Sequence, residues 1–342
     1  MSDKTSLEQR LEQRGVSRRS FLKFCALMGA TLAAPVAISP TVAGALGMHA
    51  AALPAINAAP EVLTEKIITA LSTAAFRPPL VWLEFQGCTG DSESLLRSGK
   101  PTIAEILLEI LSVNYHETLM VPSGKLATKS LTDTINNYAG KYLVVVEGSI
   151  PTGLNGFYCA VGGRSAQSIV REATSKAAAT IAVGSCSASG GLAAAAPNPT
   201  GAVGVPQAVP GIKNFVSLPG CPMNVTNLAA LIVYYLTNRA LPPLDSQSRP
   251  TFAYGRLVHD ECHRRPHFED GEFAVDWSDP HVAQSWCLLK LGCRGPETRA
   301  NCPTVKWNDG TNWPVGAGHP CIGCTGRSFW DAELPFYVPL PI

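Results

Sequence analysis

Three strand-like runs of this chain each end in a cysteine. Leu80–Phe85 leads into Gly87-Cys88-Thr89-Gly90-Asp91, Thr180–Gly184 into Ser185-Cys186, and Asn214–Leu218 into Pro219-Gly220-Cys221-Pro222. In an open parallel α/β sheet, ligands gather beyond the carboxyl ends of the strands. Thiols at three such ends converge on one point, and soft thiolates there suit an iron–sulfur cluster or zinc. The surrounding pattern predicts such a sheet. Leu80–Phe85 and Tyr142–Val146 are continuous apolar runs of buried-strand type, whereas Ile103–Leu111 repeats its apolar residues at helical spacing. Ser165–Lys176 reads as a helix opened by a serine cap, and Thr226–Leu236 as another. The βαβ rhythm from Pro78 to about Asn238 implies the α/β class, with a parallel, doubly wound sheet.

After Ala240 the composition shifts. Leu241-Pro242-Pro243 marks a boundary, and Arg249–Ile342 is rich in Pro, Gly, Trp, Cys and His with little periodicity. A long segment without regular elements needs another organiser, and metal ligation supplies one. The expected divisions are residues 1–50, 51–77 with a short helix around Glu61–Thr73, 78–245 and 246–342. The net charge of +1 gives no electrostatic footprint for nucleic acid. With 46% hydrophobic and 15% charged residues, the chain has either a large core or a large partner interface.

The N-terminus reads as an address. Ser17-Arg18-Arg19-Ser20-Phe21-Leu22-Lys23 is a twin-arginine pattern, followed by an apolar stretch from Phe24 to Ile38 and a small-residue region with Ala43-Gly44-Ala45 as a cleavage site. The stretch is too short and too rich in Ala and Gly for a spanning helix. The twin-arginine route exports folded proteins, often with cofactors inserted. Of eleven cysteines, Cys25 lies in the signal. In an exported protein the rest would ordinarily suggest disulfides, and a disulfide-stapled binding protein is one alternative. Against it, a chain of 342 residues does not need staples, and the later cysteines sit among His and Pro at metal-like spacings.

The thiols fall into three sets. Cys88, Cys186 and Cys221 form the first, and Asp91 stands where a Cys-x-x-Cys motif would place a fourth thiol. Asp91 is therefore either a hard fourth ligand or simply a cap on the helix Ser92–Arg97. His259, Cys262, Cys287 and Cys293 form a three-cysteine, one-histidine set that suits a cubane, and zinc would accept it too. Cys302, Cys321 and Cys324 give three thiols, the number a three-iron cluster takes, with Pro314 nearby offering no further ligand. Glu147 follows a buried strand, so it is either a proton-handling group near the first set or a loop acid satisfied by backbone N–H groups. Cys159 reads as a buried inert thiol. No P-loop, Rossmann fingerprint or Ser/His/Asp nucleophile is present.

Together these residues resemble the small subunit of NiFe hydrogenases. The resemblance is carried by Cys88-Thr-Gly-Asp-Ser-Glu-Ser, Asn114-Tyr-His-Glu-Thr-Leu-Met, Val146-Glu-Gly-Ser-Ile-Pro, Gly184-Ser-Cys186, Pro197-Asn-Pro-Thr-Gly-Ala-Val-Gly-Val, Pro219-Gly-Cys-Pro, Leu257-Val-His-Asp-Glu-Cys262, Trp286-Cys287, Gly292-Cys-Arg-Gly-Pro-Glu-Thr and Gly318-His-Pro-Cys-Ile-Gly-Cys324. It spans about Val81 to Asp331. It implies a flavodoxin-like domain followed by an irregular, cluster-organised one. It further implies a proximal 4Fe-4S cluster on Cys88, Asp91, Cys186 and Cys221, and a distal 4Fe-4S cluster on His259, Cys262, Cys287 and Cys293. A medial 3Fe-4S cluster would take Cys302, Cys321 and Cys324. The nickel–iron centre would lie in a separate large subunit, in a heterodimer or a higher oligomer. This chain would pass electrons from hydrogen oxidation to a cytochrome or other acceptor, in the periplasm or on the outer face of the cytoplasmic membrane. Asp91 departs from the cysteine of most relatives and matches the branches whose Asp ligates the proximal cluster. Gly90 stands where oxygen-tolerant members carry an extra cysteine, so their six-cysteine proximal cluster is not expected. The resemblance also covers hydrogen-sensing regulatory small subunits, but the export signal argues against that reading, since such sensors act in the cytoplasm. No apolar stretch near the C-terminus is long enough to span a bilayer, so membrane attachment would need another subunit.

Overall fold

The computed structural model describes residues 17–33, 59–73, 77–99, 102, 110–308, 310–332 and 336–340. Its centre is a five-stranded, wholly parallel sheet. The strands are β1 (Pro79–Glu84), β2 (Ser112–His116), β3 (Leu143–Glu147), β4 (Ala179–Val183) and β5 (Phe215–Leu218), in the spatial order β2-β1-β3-β4-β5. That order is the flavodoxin-like doubly wound one, with the chain reversing direction across the sheet between β1 and β3.

Period-two alternation sorts the strand residues onto two faces. Trp82, Leu143, Val145, Ile181, Val216 and Leu218 face one core, and Val81, Leu83, Val144, Val146 and Ala182 the other. The second core is closed by α4 (Gly124–Asn137) and α5 (Ala166–Ser175) through Leu131, Ile135, Ile169 and Val170. Ser165 caps α5 as its sequence predicts, its Oγ accepting from the Ser168 N–H at 3.3 Å. The first core is closed by α7 (Val225–Asn238), whose length and burial on most sides agree with its apolar run. The short α3 (Gly90–Leu96) and α6 (Gly184–Ser189) follow β1 and β4 directly.

Beyond Thr251 the described helical pieces are at most five residues long, among them Thr251–Tyr254, Arg265–Glu269 and Cys302–Val305. Trp313, Val315, Leu288 and Leu291 from this half still join the first core. Tyr254 Oη donates to the Pro219 carbonyl at 2.7 Å and Arg249 to that of Thr325, so the irregular half is fastened to the carboxyl edge of the sheet.

The N-terminal segment holds more structure than an address requires. Arg18–Leu32 forms a helix, α1, and Pro60–Thr73 forms α2, in the place expected for a short helix. Phe21, Phe24, Cys25, Met28 and Leu32 recur at helical spacing and are buried in the first core. The helix expected over Ile103–Leu111 and the cleavage site at Ala43–Ala45 lie outside the described residues, apart from Ile110 and Leu111. Among the described residues no helix is long and apolar enough to cross a membrane.

Leu143, 1% exposed in the middle strand, tests the packing of the sheet. Leu143→Ala is expected to cost about 2–5 kcal/mol, read as a lower denaturant midpoint at unchanged slope. Leu126→Ala, at a site 68% exposed, is expected to stay within about 0.5 kcal/mol of the parent chain.

Candidate metal centres

The turn after β1 is where the first set begins. Cys88 precedes α3, whose N-terminal N–H groups need acceptors. Thr89 at the N-cap makes no side-chain cap, and Asp91 does not cap either. The capping group is Glu147, at the end of the neighbouring β3 and only 2% exposed. Its Oε1 accepts from the Asp91 N–H at 3.0 Å, and its Oε2 from the Ser92 N–H at 3.1 Å and the Ser92 hydroxyl at 2.5 Å. Trp82 Nε1 donates to the same Oε2 at 3.0 Å, and its indole stacks on buried His116, centroids 5.1 Å apart. The backbone N–H groups named in the second reading of Glu147 are in place, those of Asp91 and Ser92.

Asp91 is thereby released from capping. Its Oδ1 accepts from the Met223 N–H at 2.6 Å, while Ser94 Oγ donates to the Met223 carbonyl at 2.8 Å. α3 thus clasps the loop that carries Cys221. Asp91 Oδ2 makes no hydrogen bond among the described residues, and it faces Gly184, where a Cβ would lie 2.1 Å from it. The glycine of Gly184-Ser-Cys186 makes room for this carboxylate and adopts φ +77°. Burial first, and the Glu147 carboxylate second, raise the Asp91 pKa to about 7, against the pull of the Met223 bond. The four donors are electrostatic neighbours. Burial and then Cys221, Asp91 and Cys88 push the Cys186 thiol up to about 12, and burial, Cys88 and Asp91 raise Cys221. Negative donors that repel one another in this way are a charge arrangement that a cationic iron core relieves. Cys88 and Cys221 are exposed, so the site opens to the surface.

His259, Cys262, Cys287 and Cys293 all line one small cavity, together with Arg264, Leu288 and Val315. A single zinc ion asks for its ligands within about 2.3 Å of one point. Among the described residues no three such donors meet that way. The His259 ring stands edge-on to Phe268, and burial holds its pKa below the ordinary imidazole range, favouring the neutral, ligating form. Sequence reasoning missed Arg264. Only 3% exposed, it donates to the carbonyls of Val315 (3.0 Å), Val282 (3.0 Å) and Trp286 (2.7 Å), and its own N–H reaches Cys262 Sγ at 3.4 Å. It pins two loops around the cavity, the 282–286 turn and the one at Val315, and sets a positive charge beside the thiols.

Cys302, Cys321 and Cys324 form the third set, and all three thiols are raised by burial. After burial, Cys302 is raised chiefly by Cys321, and Cys324 chiefly by Cys302. This last set in sequence touches both others. The Cys321 N–H donates to Cys293 Sγ at 3.4 Å, and Cys221 is among the charged neighbours that raise the Cys324 thiol. Ser185 Oγ bonds to Gly220 on one side and to the Cys324 carbonyl on the other. Cys159 stands apart, half-buried and with its thiol raised by burial. All eleven cysteines are free thiols.

Two family models match. Residues 88–235 match the 20 kDa subunit of NADH–ubiquinone oxidoreductase, and residues 254–337 the C-terminal domain of NiFe/NiFeSe hydrogenase small subunits. The periplasmic NiFe hydrogenase small subunit 1 of Nitratidesulfovibrio vulgaris is 43% identical over 98% of this chain and 97% of its own. The hydrogenase-2 small chain of Escherichia coli K12 is 42% identical over 92% of this chain and 77% of its own. Among solved structures, the reduced, active Ni-Fe-Se hydrogenase of Desulfomicrobium baculatum superposes with a TM-score of 0.73 at 35% identity, covering 78% of this chain and all of that one.

Glu147→Gln keeps the shape of the cap but turns an amide N–H₂ toward donors. The expected cost is about 1–3 kcal/mol, with faster amide exchange at Asp91 and Ser92. Unchanged exchange at both amides would show that Glu147 does not hold the helix.

Proposed function

The chain belongs to the small-subunit family of NiFe hydrogenases, and on that premise we propose that it is the electron relay of a periplasmic uptake hydrogenase, exported by the twin-arginine route. In this reading Cys88, Asp91, Cys186 and Cys221 hold the proximal 4Fe-4S cluster. His259, Cys262, Cys287 and Cys293 hold the distal 4Fe-4S cluster, and Cys302, Cys321 and Cys324 the medial 3Fe-4S cluster. When bound, the clusters supply one-electron redox centres.

The observation that carries the reading is the interlocking of the three sets. The third set reaches the distal set through the Cys321 N–H on Cys293 Sγ, and the proximal loops through Ser185, whose Oγ bonds both to Gly220 and to the Cys324 carbonyl. Three centres built on these donors stand in a row, proximal to medial to distal. The protein's own work is to fix that order and to tune each station. Asp91 offers a hard oxygen among soft thiolates, with Oδ1 kept on Met223 and Oδ2 left for the metal. Arg264 places a buried guanidinium by the distal thiols, and N–H bonds to Cys262 and Cys293 lower the electron density on those sulfurs. His259 in place of a fourth thiolate removes one negative charge.

The partner is a large subunit carrying the nickel–iron centre. Its surface on this chain is the edge where Cys88 and Cys221 are exposed. Leu154, Phe157, Tyr158 and Leu192, all solvent-facing on loops that follow β3 and α6, fit an apolar interface there. The acceptor is a cytochrome or another external carrier.

Iron, acid-labile sulfide and nickel, measured on the protein with whatever co-purifies, test the assignment. About eleven irons per chain are expected, from two cubanes and one three-iron cluster, alongside a nickel-bearing partner. Little iron, or zinc in its place, would overturn it. Asp91→Cys is expected to keep the proximal cubane while shifting its potential and EPR signal. Spectra and potential identical to the parent would remove Asp91 from the ligand set.

A further inference from the structure

The helix α1 is docked on the protein that follows it. Ser17 caps it, accepting from the Ser20 N–H at 3.2 Å, and the stripe Phe21, Phe24, Cys25, Met28 and Leu32 is at most 5% exposed. The groove that receives it is built by α2 and α7, with the Thr251–Tyr254 turn at one side. Gly29 marks the tightest crossing. A Cβ there would lie 2.3 Å from Thr64 Oγ1 and 2.9 Å from the Pro60 carbonyl, so α1 and α2 touch through a residue that has no side chain. The opposite face stays in solvent, with Arg19 and Lys23 exposed and Leu22 and Leu27 partly so. The fit is incomplete, because a cavity of about 530 Å³ remains between Leu27, Ala30 and Thr31 on one wall and Thr251, Phe252 and Ala300 on the other.

We propose that the groove between α2 and α7 is a docking site for the chain's own export-signal helix, occupied in the folded precursor and vacated when the export machinery takes the signal. This rests on the twin-arginine reading of the N-terminus. Three separated segments, 60–73, 225–238 and 251–254, must be in place before the groove exists, so the signal docks only on a chain whose two halves have folded together. A helix whose apolar stripe is buried in its own protein cannot offer that stripe to a membrane or a receptor at the same moment. The exposed Arg19 and the unfilled cavity leave the docked helix able to be drawn away.

Hydrogen exchange on the full-length precursor, kept from export by Arg18→Lys/Arg19→Lys, reads the docking directly. Amides of Phe21–Leu32 are expected to exchange at least about tenfold more slowly than in the same peptide alone. Gly29→Ala is expected to abolish that protection, although alanine favours helix over glycine, and Thr64→Ala added to it is expected to restore part. Free-peptide rates in the parent precursor, or full protection in Gly29→Ala, would overturn the docking site. The export reading fails separately, if Arg18→Lys/Arg19→Lys leaves export intact, and that result would leave measured protection in place.

Discussion

The buried carboxylate of Glu147 is the constraint on which the candidate centres hang. A polar group at 2% exposure is costly unless its lone pairs are filled. Here the indole of Trp82 from β1, two backbone N–H groups of α3 and the Ser92 hydroxyl fill them. The same bonds supply the acceptors that the start of α3 lacks, in the orientation favoured by the helix dipole. One side chain therefore sets the register between the middle strand and the cysteine turn of its neighbour. Because the capping is done from β3, the acid on α3 itself is free to hold the Cys221 loop.

Much of this was legible in the sequence. Strand runs such as Tyr142–Val146 and the Ser165 cap depend on neighbours close in the chain, and the structure places them within a residue or two of expectation. The convergence of thiols at strand ends followed from the parallel topology. What was not legible is non-local. Nothing near Glu147 in sequence announces Trp82, 65 positions away, and nothing near Asp91 announces Met223, 132 away. Gly184 looked like an ordinary motif glycine, and its reason is a carboxylate from another element. Arg264 was hidden because a guanidinium bound to three carbonyls has no charge partner to pair it with on paper. The docked α1 was missed for another reason, since a signal was read as an address and its amphipathic stripe was not tested against the fold.

The irregular half shows how a segment without periodicity acquires fixed structure. Its pieces are too short to be stable helices in isolation, and it has few ladders to register. Order comes from hydrogen bonds to loop carbonyls, as at Arg264, Arg249 and Tyr254, and from core residues such as Trp313 lent to the sheet half. The final cysteines fold back between two sets formed earlier in the chain, so spatial order and sequence order differ.

That fold-back bears on the timing of assembly. The bond from Ser185 to the Cys324 carbonyl joins residues 139 positions apart, and contacts of such long separation form late. Domains emerging from the ribosome settle from the N-terminal side first. The sheet and its three strand-end thiols are thus in place while the last stretch is still being made. Through that interval Ser185, beside Cys186, lacks the carbonyl of residue 324 that its hydroxyl will bind. Residue 324 acts as a late keystone, and a chain truncated before it would lose the tie that joins the turn after the fourth strand to the end of the irregular half.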